Sequence, residues 1–149
     1  MTNSRSSRFV FASTLAVICA FAPALRAQDE GRPNYYLRGS DASGKTSLSS
    51  GGNSSVGWAT TLGGAKAKNG VDDATAIYHI PLTYMLRTPT SGNQTFGGYR
   101  LVFEGTTPSL MLKTANATLT IGRLAVASGA QADILAGDAA TFPSLPVPG

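Results

Sequence analysis

The feature that most constrains the fold of this chain is a run of very short apolar alternations between residues 99 and 127. Tyr99, Leu101 and Phe103 alternate with Arg100, Val102 and Glu104, a period of two that predicts a strand. Leu110 and Leu112 then share one face of Ser109 to Lys113, Leu119 and Ile121 one face of Thr118 to Ile121, and Leu124 and Val126 one face of Leu124 to Ala127. Turn material separates them: Gly105-Thr106-Thr107-Pro108, Ala115-Asn116, Gly122-Arg123 and Ser128-Gly129. The Leu pairs begin at 101, 110, 119 and 124, so the connections are too short for crossover helices. They suit bends between the faces of one coil. The expected fold is therefore all-β: a short right-handed parallel β-helix (β-solenoid) segment, with a small β-sandwich as the alternative.

Composition agrees with that class. Only 13% of residues are charged, and 17 Gly and 8 Pro in 149 residues exclude a coiled coil or helical bundle. Further strands are expected at Tyr35-Tyr36-Leu37, at Ala76 to Ile80 and at Leu82 to Leu86. Pro81 between the last two cannot donate to a central ladder and marks an edge or a bend. Residues 39 to 64 hold seven Gly and seven Ser and read as a loop or loosely ordered cap with Trp58 as its one strong apolar anchor. Asn69-Gly70 marks a tight turn.

The segment Met1 to Ala27 has the order of a secretory signal peptide. Arg5 and Arg8 precede the apolar run Phe9 to Ala22, and Pro23 breaks it. Cleavage is expected after Ala27, with Ala24 as second choice. The expected organisation is thus a signal peptide at 1–27, a Gly/Ser-rich loop or cap at 28–73, a solenoid-like domain at 74–142 and a Pro-rich tail at 143–149. Cleavage removes Arg5, Arg8 and Arg26, leaving nine cations against eight anions, a charge of +1 in place of +4. Basicity then gives no support to nucleic-acid binding. Cys19 also leaves, so disulfides and thiolate metal sites are not expected, and Ile18 before it is a poor fit to a lipidation signal.

Some residues resemble a known group. Leu86-Arg87-Thr88-Pro89, Thr95-Phe96-Gly97-Gly98-Tyr99-Arg100-Leu101, Leu110-Met111-Leu112-Lys113 and Thr118-Leu119-Thr120-Ile121-Gly122-Arg123-Leu124 are similar to the opening of secreted bacterial proteins with autotransporter-type β-strand repeats. That resemblance covers about residues 56 to 136 and implies a parallel β-helix passenger, here a truncated or short one.

The sharpest chemical motif is Gly39-Ser40-Asp41-Ala42-Ser43-Gly44-Lys45-Thr46, which satisfies the phosphate-loop pattern G-x-x-x-x-G-K-T. That chemistry needs a helix opening at the lysine, with backbone N–H groups wrapped around phosphate. Ser47 to Asn53 offers no helical period and two glycines, so a chance match is expected. His79, the only histidine, has no Cys, Asp or Glu at ligand spacing and is expected at a surface or strand edge. Asp72-Asp73 reads as a solvated turn rather than a Ca²⁺ loop. Among the carboxylates only Glu104 falls in an expected strand, facing outward with Arg100 as candidate partner. Tyr35, Tyr36, Trp58, Tyr78, Tyr84 and Tyr99 could stack on sugars, though packing accounts for most aromatics in small β proteins. Asn53, Asn93 and Asn116 head glycosylation sequons in expected loops.

No catalytic, cofactor or metal residue is assigned. The expected function is that of an exported, non-enzymatic structural or adhesive element, secreted or at the cell surface after periplasmic transit. Its expected partners are cell-surface or matrix components, or copies of itself through open strand edges, with no stable membrane anchor. The alternative is an extracellular carbohydrate-binding or carbohydrate-active module. About two coils of 20 to 25 residues fit into residues 96 to 136, so marginal stability and edge-to-edge association are also expected.

Overall fold

Inward alternation of large apolar side chains organises the protein, as seen in a computed structural model that describes residues 29–106, 109–112 and 117–136. Tyr78 and Ile80, Leu101 and Phe103, and also Leu86 and Leu110, are fully buried, while His79, Arg100 and Val102 between them are not. Burial of each such side chain contributes about 1.5–3 kcal/mol. The chain divides into two units, Met1–Glu30 and Gly31–Gly149, and the architecture below is that of the second.

It is all-β, with ten short strands and no helix among the described residues. In chain order they are β1 (Asn34–Leu37), β2 (Trp58–Ala59), β3 (Ile77–Ile80), β4 (Met85–Arg87), β5 (Gln94–Thr95), β6 (Arg100–Phe103), β7 (Ser109–Leu112), β8 (Leu119–Thr120), β9 (Leu124–Val126) and β10 (Asp133–Ala136). Three sheets result, with orders β2-β1-β3-β6-β9, β10-β7-β4 and β5-β8. Among these strands only β1 and β2 pair antiparallel; every other strand pair is parallel.

The register advances by a nearly constant step. Ile77 pairs with Arg100 and Leu101 with Leu124, an equal advance along the chain each time. In the second sheet Met85 pairs with Ser109 and Ser109 with Asp133, a step longer by a single position, and in the third the Gln94–Leu119 pair is longer by one more. From β3 onward the chain therefore visits the three sheets in the same order on each pass. This explains the uneven Leu spacing: Leu101, Leu110 and Leu119 belong to one pass, and Leu124 opens the next.

A corner joins the first sheet to the second between Ile80 and Met85. Pro81 is buried there, Leu82 takes a left-handed φ of 56°, and Tyr84 N–H donates to the Pro81 carbonyl. The strand expected from Leu82 consequently starts only at Met85. On the next pass Gly105 lies against the Leu82 backbone so closely that a Cβ would fall 1.3 Å from the Leu82 oxygen, which leaves glycine as the residue for that corner.

Residues 39–57, expected as part of a loop or loosely ordered cap, hold no strand yet pack against the core. Leu48 joins Trp58 in the core, beside Leu37, Val71, Tyr78, Phe96 and Phe103. Trp58 meets Tyr78 edge to face at 4.9 Å, and Tyr78 meets Phe96 in the same way at 5.7 Å. The Trp58 indole N–H donates to the Ser47 carbonyl at 2.8 Å, satisfying its one polar atom. Strands β5 and β10 were not legible in the alternation: Gln94–Thr95 is two residues long, and Asp133 opens β10 with a charge. The expected signal peptide, the Pro-rich tail, Lys113 and Asn116 lie outside the described residues.

Candidate functional site

The string Gly39 to Thr46 is where sequence most suggested chemistry, and its geometry directs it elsewhere. The Asp41 carboxylate is buried and accepts three hydrogen bonds: from Ser47 N–H at 2.8 Å, from the Ser47 hydroxyl at 2.7 Å and from Arg87 N–H at 3.1 Å. The Thr46 hydroxyl donates to the Arg87 carbonyl at 2.5 Å and accepts from Leu48 N–H at 3.0 Å. Thr46 N–H donates to Asn53 Oδ1. A phosphate loop needs inward N–H groups free for an anion. Here Asp41, Lys45 and Thr46 N–H donate to the Met85 carbonyl, the Ala42 carbonyl and Asn53 Oδ1, and an anion beside the Asp41 carboxylate would be repelled by it.

What these residues do is close a sheet edge. Strand β4 is terminal in its sheet. On its outer side Met85 N–H donates to the Ser40 hydroxyl, Asp41 N–H donates to the Met85 carbonyl, Arg87 N–H reaches Asp41 and the Arg87 carbonyl accepts from Thr46. Every backbone group of Met85 and Arg87 on that side is paired. Strand β2 covers the edge of β1 in the first sheet in the same sense. Residues 39 to 59 thus cover the β1 and β4 edges at one end of their sheets.

The second cluster lies on the outer face of the first sheet. His79 sits in β3, at the centre of the sheet order rather than at an edge. Its Nδ1 is 2.6 Å from Glu104 Oε1 and its Nε2 is 2.8 Å from Asn34 Oδ1. Asn34 Nδ2 donates to the Arg32 carbonyl, which fixes the amide. Tyr36 stacks on the imidazole at 4.7 Å. Glu104 follows β6 and meets His79, not Arg100 as the alternation suggested. Both imidazole nitrogens are engaged, so the ring presents no nitrogen to a substrate, and no hydroxyl or thiol nucleophile is among its partners.

The remaining expected residues separate. Asp72 pairs with Lys68 at 2.6 Å, and this hydrogen bond raises the lysine pKa. Asp73 accepts from the Thr75 hydroxyl at 2.7 Å and from its N–H at 3.0 Å, which lower its pKa. Each carboxylate of the Asp72-Asp73 turn is thus committed to its own neighbour. Among the described residues no three His, Cys, Asp or Glu side chains come together as a metal site. Trp58 and Tyr78 are core residues, and burial pushes the Tyr78 phenol up to about 12. Its oxygen accepts from Asp72 and Asp73 N–H. Among the described residues no helix is long and apolar enough to cross a membrane.

No family model, curated protein or solved structure matches this chain.

Proposed function

We propose that the protein is an exported, non-enzymatic structural or adhesive element: a short β-solenoid segment sealed at one end by its Gly/Ser-rich cap. The supporting observation is the recurrent register. Three parallel sheets advance by nearly the same step, and from β3 onward consecutive strands lie in different sheets instead of pairing with each other. A β-sandwich would pair strands antiparallel, largely between chain neighbours. A coil that buries its inner face only against the coils on either side has no need of a cleft. The polar groups most suggestive of catalysis are spent on the fold: Asp41 and Thr46 on the β4 edge, His79 on Asn34 and Glu104.

Export rests on the charged, apolar and helix-breaking order of Met1 to Ala27. Self-association rests on the side of the strands that the cap leaves open. At the inward register positions Leu124 and Val126 are 44% and 50% exposed, whereas their partners Leu101 and Phe103 are fully buried. Ile134, the partner of buried Leu110, is 56% exposed. Among the described residues no strand lies beyond β9, β10 or β8 in their sheets.

Cell fractionation with N-terminal mass spectrometry tests this reading. The chain is expected in the medium or at the cell surface with Gln28 first, and without turnover in a polysaccharide hydrolysis screen. Retention in the cytoplasm with Met1 intact would overturn the export reading, and hydrolysis of any polysaccharide would overturn the non-enzymatic one.

A further inference from the structure

His79 is the only histidine of the chain, and its ring stands between two acceptors. Glu104 Oε1 faces Nδ1 at 2.6 Å, and Asn34 Oδ1 faces Nε2 at 2.8 Å. The amide is oriented from its other end: Asn34 Nδ2 donates to the Arg32 carbonyl at 3.1 Å, which leaves the oxygen toward the imidazole. A carboxylate and an amide oxygen only accept. Both contacts are therefore hydrogen bonds only when each ring nitrogen carries a proton.

These contacts cross three strands. Tyr36 of β1, His79 of β3 and Val102 of β6 are register partners. Asn34 lies two residues before Tyr36 and Glu104 two after Val102, so their side chains meet His79 from opposite diagonals. Glu104 N–H donates to the Ile80 carbonyl at 3.0 Å, which keeps Glu104 in step with β3. Tyr36, the titratable residue that β1 adds on this face, stacks on the imidazole at 4.7 Å. The cations of the neighbouring segments are Arg32 ahead of β1, Arg100 of β6 and Arg123 ahead of β9, whose guanidinium carbons lie 3.4, 5.7 and 4.0 Å from the Tyr99 centroid. The charge that meets the imidazole directly is that of Glu104.

We propose that Asn34, His79 and Glu104 form a proton-dependent clasp, which fastens β1 to β3 and β6 and loosens on the β1 side when the imidazole gives up a proton. A neutral ring donates from one nitrogen only. Its proton stays toward the carboxylate, the stronger acceptor, and two lone pairs then face each other between Nε2 and Asn34 Oδ1. Turning the amide over relieves that contact but sets Oδ1 against the Arg32 carbonyl. With 12% of the His79 side chain exposed, water has little room to replace the broken bond. The clasp is thus complete in acid and is lost as the pH rises through the titration of the ring. Strand β2 is paired to β1, so what loosens is the strand pair at this end of the first sheet. This role rests on neither export nor adhesion.

Nitrogen-15 NMR of the full chain across about pH 4–9 tests the proposal on a single imidazole. Both ring nitrogens are expected to be protonated in acid. After deprotonation the remaining proton is expected on Nδ1, the minor tautomer of a free imidazole. Ile77 N–H donates to the Pro33 carbonyl, just ahead of β1, at 2.9 Å and reports how firmly β1 is held. Its hydrogen-exchange protection, corrected for the intrinsic pH dependence of exchange, is expected to fall about three- to tenfold as the ring deprotonates, the worth of one hydrogen bond. Asn34→Ala should remove that fall, because no acceptor is left to lose. Glu104→Gln should remove it too, since a carboxamide donates to a bare Nδ1 and the neutral ring then keeps Nε2–H on Asn34. Both substituted residues are exposed, so the variants are expected to fold. A neutral ring protonated at Nε2 in the parent, protection that does not follow the ring, or an equal fall in Asn34→Ala would overturn the proposal. The parent measurement alone decides the tautomer, and cell fractionation and the hydrolysis screen answer separately for the structural reading.

Discussion

Asp41 and Arg87 hold each other from both directions. The Asp41 carboxylate accepts from Arg87 N–H at 3.1 Å, and Arg87 Nε donates to the Asp41 carbonyl at 2.8 Å. Far apart in sequence, they lock the Gly/Ser-rich segment to the outer edge of β4.

Removal of the Asp41 carboxylate leaves Ser47 N–H and Arg87 N–H buried without an acceptor. Asp41→Ala is expected to destabilise the protein by about 2–4 kcal/mol, read from denaturant unfolding. Lys45→Ala in the same string, where the side chain is exposed, should stay within about 0.5 kcal/mol. Magnesium-ATP affinity that disappears with Lys45→Ala would contradict the edge-sealing role of this loop.

The contrast between those two residues also shows how far the sequence could be read. Leu101 and Phe103 of β6 and Leu110 of β7 were legible as inward positions because period-two alternation reports a half-buried strand directly. The contacts that fix the Gly/Ser-rich segment were not legible, because they are hydrogen bonds across long sequence separations rather than apolar content. Asp41, Ser47 and Thr46 look like loop residues until Arg87 is brought to them. His79 and Glu104 are separated by close to one register step, so their pairing becomes readable only once that step is known. Asn34 opens β1 and Arg32 precedes it, before the part of the chain to which that step applies.

Tyr78 gives the protein a sensitivity to alkali. Its phenol is fully buried, and the pKa is raised to about 12 from 10.0 because the fold disfavours the phenolate. A group held protonated in the folded state contributes its full stability below pH 10 and loses it as the pH rises toward 12. The loss over that window is expected to be about 2–3 kcal/mol. Tyr78→Phe should flatten this part of the stability profile while weakening the neutral protein slightly, since Asp72 and Asp73 N–H lose their acceptor. Unfolding of both forms between pH 8 and 12 measures the difference, which also removes the titration of the other tyrosines. Parallel profiles would show that Tyr78 does not carry the effect.

Phe103 and Val126 occupy equivalent inward positions on adjacent strands, yet only one is covered. Phe103→Ala is expected to cost about 3–5 kcal/mol, the range for deleting a fully buried aromatic side chain. Val126→Ala should cost less than about 1 kcal/mol, since half of the side chain already meets solvent. Chemical denaturation of the two variants gives the comparison. Equal losses would mean that the β9 face is packed in solution.

That uncovered face sets the last expectation, which concerns association. Leu124, Val126 and Ile134 present an apolar surface on β9 and β10, which among the described residues are terminal strands of their sheets, the combination that recruits another strand. On the opposite side β2 covers β1 and the Asp41 loop covers β4, so association is expected through like ends. Pairing of like ends closes on itself, and the expected product is a dimer rather than a filament. Sedimentation equilibrium should show a concentration-dependent dimer. Val126→Lys and Ile134→Lys, which place a charge on the seam at little cost to the fold, should shift it to monomer. A parent chain that stays monomeric at high concentration, or variants that dimerise as strongly as the parent, would show that this face is not the seam.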